Sequence, residues 1–231
     1  MKYALVTGGT RGIGLAVCKL LVQNGYCVTA LYSGGRGLEE ANETVPEAEF
    51  VCADVANEEA VKAVFERLKR LDLLVNNAGI ACYSQVQDTS FAEFRRVTDV
   101  NIGGAFLCTK YAVKKMLANG GAIVNISSVW GETGGSCESV YSASKGAVIA
   151  FTKAVSKELA PSGITVNCVS PGVVDTEMNA HLSIEEKAAL AREIPLGRMG
   201  SAEEIAAAVL YFANAKYVTG QVLGVNGGFY I

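Results

Sequence analysis

Short apolar runs rich in β-branched residues alternate along this chain with longer stretches of helical period, and that alternation constrains its fold more than any other feature. Tyr3–Thr7 reads as a first strand, followed by a helix over Ile13–Asn24 that Gly25 stops. Tyr26–Tyr32, Glu49–Ala53, Leu73–Asn76, Ala122–Ser127, Ile164–Ser170 and Val222–Val225 read as further strands. A short polar helix follows the second of these. Longer helices are expected over Asn57–Leu71, with Asn57 as N-cap, and over Asp99–Leu117, Val140–Leu159 and Ala202–Phe212. Runs such as Ile123-Val124-Asn125-Ile126 do not alternate cleanly, which suits strands covered on both faces. The pattern predicts one α/β domain over residues 1–231: a doubly wound parallel sheet with helices on both faces and ligands at the carboxyl ends of its strands.

Composition removes several classes of function. The net charge is −3 and the 20 basic residues are scattered, so neither nucleic acid nor a membrane surface is an expected partner. No run approaches the ~18 apolar residues of a membrane span, and the opening residues do not read as a leader, so a soluble, cytoplasmic protein is expected. The single histidine, His181, cannot build a poly-His zinc site. The seven cysteines, at 18, 27, 52, 82, 108, 137 and 168, form no C-x-x-C pair, so no metal is expected and buried, reduced thiols are.

Thr7-Gly8-Gly9-Thr10-Arg11-Gly12-Ile13-Gly14 falls where the first strand turns into the first helix. Glycine there permits a tight turn and close approach of a pyrophosphate, and the helix start offers free N–H groups to it. At the end of the second strand, where a carboxylate would hold a ribose 2′-hydroxyl, the chain reads Ser33-Gly34-Gly35-Arg36. With no acid present, and with Arg11 and Arg36 supplying guanidinium groups, NADP(H) is expected over NAD(H).

Tyr-x-x-x-Lys occurs twice, at Tyr111/Lys115 and Tyr141/Lys145. Tyr111 lies well inside a helix, where packing is the simpler role. Tyr141 lies near a helix start, behind a Gly-rich loop that leaves the fifth strand at Ser127-Ser128. Ser128 and Tyr141 can therefore share the carboxyl edge of the sheet.

With these residues in view, the chain resembles the short-chain dehydrogenases/reductases, a Rossmann-fold family. The resemblance runs through Thr7–Gly14, Asp54, Asn76-Asn77-Ala78-Gly79, Asn101, Ser128, Tyr141-x-x-x-Lys145, Pro171-Gly172 and Asn226-Gly227-Gly228. It implies that Tyr141 protonates the substrate carbonyl oxygen, that Lys145 lowers the Tyr141 pKa and bonds the nicotinamide ribose, that Ser128 orients the carbonyl, and that Asn101 holds a water relaying protons to Lys145. It also implies that Asp54 and Val55 meet the adenine and that Asn77, Ala78 and Gly79 line the adenosine ribose. Pro171, Gly172, Val174 and Thr176 would reach the carboxamide and phosphates.

Within the family the chain looks most like 3-oxoacyl-[acyl-carrier-protein] reductases, through Ser142–Gly146, Ile164–Asn167 and Pro195–Gly200. The loop from Val129 to Val140 departs from them. Trp130-Gly131 followed by Ser136-Cys137-Glu138 resembles reductases of the 5-aminopentanone modification on elongation factor P. Glu138 would face a cationic amino-ketone, with Trp130 against its aliphatic part and Cys137 beside it. The ketone is thus acyl-carrier-linked, protein-linked, or another small ketone or alcohol. A different class, a non-catalytic NADP-binding sensor or scaffold, stays open, although the intact Asn101-Ser128-Tyr141-Lys145 set argues against it. Residues 175–200 are expected to form a substrate lid with Met178, Leu182 and Ile184 as apolar contacts. Small residues on the 140–159 helix fit a homotetramer.

Overall fold

The computed structural model describes residues 1–179 and 183–231, apart from the side chain of Met178. His181 and Leu182 lie outside the described residues. In chain order the elements are β1 (Lys2–Thr7), α1 (Gly12–Gln23), β2 (Tyr26–Tyr32), α2 (Leu38–Thr44), β3 (Glu49–Cys52), α3 (Glu58–Arg67), β4 (Leu73–Asn76), α4 (Phe91–Thr98), a π turn over Asp99–Gly103, and α5 (Gly104–Met116). There follow β5 (Gly121–Ile126), α6 (Trp130–Thr133), α7 (Ser139–Leu159), β6 (Ile164–Pro171), a 3-10 turn over Glu177–Asn179, α8 (Ile184–Glu193), α9 (Ala202–Asn214) and β7 (Val222–Val225).

Among the described residues seven strands form one sheet in the order β3-β2-β1-β4-β5-β6-β7, with every adjacent pair parallel. This is the doubly wound arrangement read from the sequence. Unbroken apolar runs in the strands serve two cores. Ala4 and Val6 of β1 and Val124 of β5 join Val17, Leu21, Ile205 and Phe212 of α1 and α9. Leu5 and Ile123, pointing the other way, join Phe65, Cys108, Met116 and Val155 of α3, α5 and α7. Alternate side chains of a strand point to opposite faces, so residues buried on both sides must all be apolar.

β1 pairs with both β2 and β4, so the direction of winding reverses beside it. The crevice this opens at the strands' carboxyl ends lies between the Gly8 turn and Asn77. Thr7 ties its two walls together: its hydroxyl accepts from the backbone N–H groups of Asn77 (3.0 Å) and Ala78 (2.9 Å).

Three expectations need correction. The helix read as starting at Asp99 begins at Phe91, where Ser90 and Glu93 form a capping box, and it passes through the π turn before α5. Helix α3 stops at Arg67, because Leu68 adopts an extended conformation. The thiols are free but not all buried: Cys18, Cys108 and Cys168 are, whereas Cys52 and Cys137 are exposed. Among the described residues no helix is long and apolar enough to cross a membrane.

Candidate active site

Gly8 takes φ +67°, a left-handed conformation that favours glycine. A Cβ on Gly14 would lie 2.0 Å from the Gly8 carbonyl oxygen and 2.6 Å from Asn77 Nδ2, so only glycine fits where α1 begins. The Asn77 amide closes the turn by donating to the carbonyls of Thr7 (2.9 Å) and Gly8 (3.1 Å). Helix α1 starts with Arg11 as N-cap, no side-chain cap and no acid in its first turn. Its first N–H groups, including those of Gly12 and Ile13, lack intrahelical acceptors. Thr176 sits over them, within van der Waals reach of Gly12. A bare helix start behind a glycine turn matches a dinucleotide's pyrophosphate in both charge and shape.

Ser33 and Arg36 are exposed just beyond β2, and the Arg36 carbonyl accepts from Thr10 Oγ1 at 3.3 Å. Arg11 is not a free cation: its Nη1 pairs with Glu177 at 3.0 Å, 166 positions away. Asp54 follows β3, and its carboxylate accepts from the Ala56 N–H at 3.0 Å. Val55 is buried where Gly104 of α5 closes on it. The buried Val174 pairs with Gly200, and its carbonyl accepts from Asn179 Nδ2. Pro171 ends β6, its carbonyl bound by the Val129 N–H, and Gly172 packs flush against Asn226.

Asn101, Ser128, Tyr141 and Lys145 converge at this edge, and all four are buried. The π turn carries Asn101 inward; its Oδ1 accepts from the Ile80 N–H at 2.9 Å and its Nδ2 donates to Ser144 Oγ at 2.9 Å. A Cβ on Gly79 would meet Lys145 Nζ at 3.2 Å and Asn101 Oδ1 at 3.3 Å, which brings Asn101, Lys145 and Gly79 to one point. Lys145 Nζ donates to the Ile126 carbonyl at 2.9 Å and lies 5.7 Å from the centre of the Tyr141 ring. Ser128 lies close enough to the Tyr141 phenol to oppose the rise in its pKa.

In the cofactor-free chain burial, rather than Lys145, sets the direction of the Tyr141 shift. Burial pushes the phenol up to about 12, and the Glu138 carboxylate adds to that rise against the effect of Ser128. Burial also brings Lys145 down to about 8. Both groups have left water, and removing water disfavours the charged form of each. The other copy, Tyr111, lies elsewhere: its hydroxyl donates to Glu58 at 2.9 Å and its ring stacks on Phe65.

The loop after Ser128 is more ordered than a Gly-rich stretch implies. Trp130 opens α6 and meets Phe229 edge to face. Cys137 is exposed with φ +60°, and its carbonyl accepts from the Ser84 N–H at 2.8 Å. Sequence reading missed Tyr83, which lies close enough for Glu138 to raise its pKa after burial does, and which itself acts on Tyr141. It also missed Ser144, Glu177 and Phe229. Ser144 lies within the Ser142–Gly146 stretch, Glu177 follows Thr176 and Phe229 follows Asn226-Gly227-Gly228, so their neighbours were already singled out, whereas only the fold brings Tyr83 to the site. Met178 falls on the turn over Glu177–Asn179, and Ile184 at the start of α8 is exposed.

Residues 8–230 match the family described as Enoyl-(Acyl carrier protein) reductase. The chain is 41% identical to the 3-oxoacyl-[acyl-carrier-protein] reductase FabG of Aquifex aeolicus, covering 99% of this chain and 97% of that one. The chain belongs to the short-chain dehydrogenase/reductase family. It is also 38% identical to the uncharacterized oxidoreductase YmfI of Bacillus subtilis, with 99% of each chain covered. The crystal structure of a candidate gluconate dehydrogenase from Agrobacterium tumefaciens superposes with a TM-score of 0.94 at 31% identity, covering 99% of this chain and 95% of that one. As a member of this family the chain is an oxidoreductase acting on the CH–OH/C=O pair, with a nicotinamide cofactor.

Proposed function

We propose that this chain reduces the 3-oxo group of an acyl thioester to a secondary alcohol with NADPH. The observation that carries the reading is the convergence of buried Asn101, Ser128, Tyr141 and Lys145 at the edge where the glycine turn opens, with Lys145 Nζ 5.7 Å from the centre of the Tyr141 ring. NADPH supplies the hydride when bound. The glycine turn and the start of α1 would hold its pyrophosphate, Ser33 and Arg36 its 2′-phosphate, joined by Arg11 if that guanidinium leaves Glu177, and Asp54 and Val55 would meet its adenine. Asn77, Ala78 and Gly79 would line the adenosine ribose, and Pro171, Gly172, Val174 and Thr176 would reach the carboxamide and phosphates.

Ser128 orients the ketone oxygen, and Tyr141 gives that oxygen its proton. With its pKa near 12 the phenol keeps the proton at neutral pH. Lys145 then stands beside the phenolate as its counter-charge, and Asn101 orders a water that returns protons toward Lys145. Tyr141→Phe should lower turnover of an acetoacetyl thioester by ~10²–10⁴-fold, the scale of a lost general acid, with NADPH binding kept. Unchanged turnover would sink the assignment.

Glu138 favours a second reading, the protein-linked 5-aminopentanone on elongation factor P. Its charge acts on both Tyr83 and Tyr141, so a carboxylate stands near the candidate proton donor, where it would favour a cationic substrate. Competing the thioester against the modified factor decides between the two readings. Under the second, Glu138→Gln selectively loses the cationic substrate.

The protein is a homotetramer on this reading. Phe106 of α5 is half exposed and meets Phe151 of α7 at 6.4 Å, leaving an apolar surface shared by both helices. Light scattering that reports a monomer at micromolar concentration would overturn this.

A further inference from the structure

Trp130 is the only tryptophan, and it lies two residues beyond Ser128. Its backbone N–H donates to the Ser128 hydroxyl oxygen at 3.2 Å, and Ser128 is close enough to the Tyr141 phenol to act on its pKa. Its indole is braced on two sides. On one side Gly135 lies flush, where a Cβ would stand 3.2 Å from the ring and 3.4 Å from Glu138 Cβ. On the other, Phe229 meets it with ring centres 5.6 Å apart and planes at 77°.

Phe229 belongs to the turn that follows β7, and that turn is tightly tied. The Asn226 side chain accepts from the Gly228 N–H at 3.0 Å and donates to the Tyr230 carbonyl at 2.8 Å, while the Asn226 carbonyl accepts from the Phe229 N–H at 3.1 Å. The Gly172 N–H donates to the Val225 carbonyl at 3.0 Å, and the Leu196 N–H donates to that of Gly227 at 3.1 Å. The segment facing it is held by scattered bonds, among them the Gly135 N–H to Ser142 Oγ at 3.0 Å and the Ser84 N–H to the Cys137 carbonyl at 2.8 Å. Residues 134–138 form no helix or strand, and Cys137 sits at a positive φ that a side chain other than glycine rarely takes. Such a conformation persists only where its surroundings enforce it.

We infer that Phe229 is a positioning residue for substrate. By bracing Trp130, the C-terminal turn fixes both the Ser128 hydroxyl and the 134–138 segment that carries Cys137 and Glu138. This rests on the proposed function only in placing the ketone between Ser128 and that segment.

The test compares Phe229→Leu and Phe229→Tyr in the full chain by three readouts: Trp130 fluorescence, hydrogen exchange, and steady-state kinetics with NADPH and an acetoacetyl thioester. The leucine variant should red-shift Trp130 emission and speed exchange in residues 130–138 while leaving α1 unchanged. Its KM for the thioester should rise roughly ten-fold, in keeping with a displaced contact remote from the chemistry, with NADPH affinity unchanged. The tyrosine variant, which keeps the ring, should restore all three. An unchanged KM in the leucine variant overturns the inference, as does faster exchange throughout the chain with KM, kcat and NADPH affinity all impaired. Should the wild-type protein fail to reduce the thioester, the proposed substrate falls, and exchange then decides the bracing alone. Protection of 130–138 that is equal in the wild-type protein and the leucine variant overturns it.

Discussion

Replacing Lys145 by methionine should stabilise the cofactor-free protein at neutral pH and destabilise it at high pH. Lys145 is 4% exposed, and burial lowers its pKa from 10.5 to about 8. That lowering corresponds to about 3 kcal/mol at ~1.36 kcal/mol per pKa unit. Below pH 8 the folded and unfolded chains both carry the proton, so the whole penalty opposes folding. Between pH 8 and 10.5 the unfolded chain holds a proton that the folded chain has released, so wild-type stability rises with pH. By pH 9.5 about 2 kcal/mol of the penalty is gone. Against this, the substitution removes the bond from Nζ to the Ile126 carbonyl, a loss of about 2 kcal/mol for a buried acceptor left bare. The methionine variant should therefore be more stable by ~1 kcal/mol at pH 7 and less stable by about the same amount at pH 9.5. Thermal melts of both proteins at the two pH values check this, with a shift of about 2–4 °C in each direction. Other titrating groups cancel in the difference between the two proteins. A gap that is the same at both pH values would refute the reasoning, because it would mean that the amine is not desolvated.

Gly14→Ala should abolish nucleotide binding and lower the melting temperature, since its Cβ would stand 2.0 Å from the Gly8 carbonyl oxygen. The expected destabilisation is about 3 kcal/mol, the upper end of ordinary overpacking, and a wild-type melt would contradict it. Arg36→Ala should reduce the preference for NADPH over NADH by about ten-fold, read as the ratio of the two dissociation constants. Ser90→Ala removes the capping box that starts α4 and should cost about 1 kcal/mol, measured by urea denaturation with turnover unchanged.

The strands were legible because burial on both faces forces unbroken apolar runs, and the helices between them marked a doubly wound parallel sheet, whereas the strand order came only with the structure. The start of α4 was harder to read. Phe91 and Phe94 stay largely exposed, so no apolar stripe marks the first turns, and only Ser90-x-x-Glu93 announces them. Helix α8 is marked in the same way by Ser183-x-x-Glu186, and none of its residues is buried. In the site, Ser128, Tyr141 and Lys145 could be placed together from chain spacing. The direction of the Tyr141 shift could not, because spacing gives the charged neighbour and says nothing of how much water has been removed. Arg11 shows the same gap: its position on the turn was readable, but its partner Glu177 arrives through the fold.

That direction alters how the proposed proton transfer works. A ketone taking up hydride leaves an alkoxide whose basicity is close to that of hydroxide, with a conjugate acid near that of water at ~15.7. A phenol near 12 gives up its proton to such a base downhill, so no resting acidification is needed. A phenol brought near 7 would lose part of that driving force and stand partly ionised before substrate arrived. Burial thus keeps the proton on Tyr141 until the alkoxide calls for it, and Lys145 acts after the transfer, when the phenolate needs a neighbouring charge. The same burial that lowers Lys145 makes a nearby anion unusually valuable to it: at neutral pH the amine still carries its proton, and a phenolate on the Tyr141 ring, whose centre lies 5.7 Å from Nζ, would stabilise that charge with little water between. The two groups are therefore poised apart at rest and coupled during the reaction, and the arrangement follows from one physical cause, the exclusion of water by β5, α7 and the π turn.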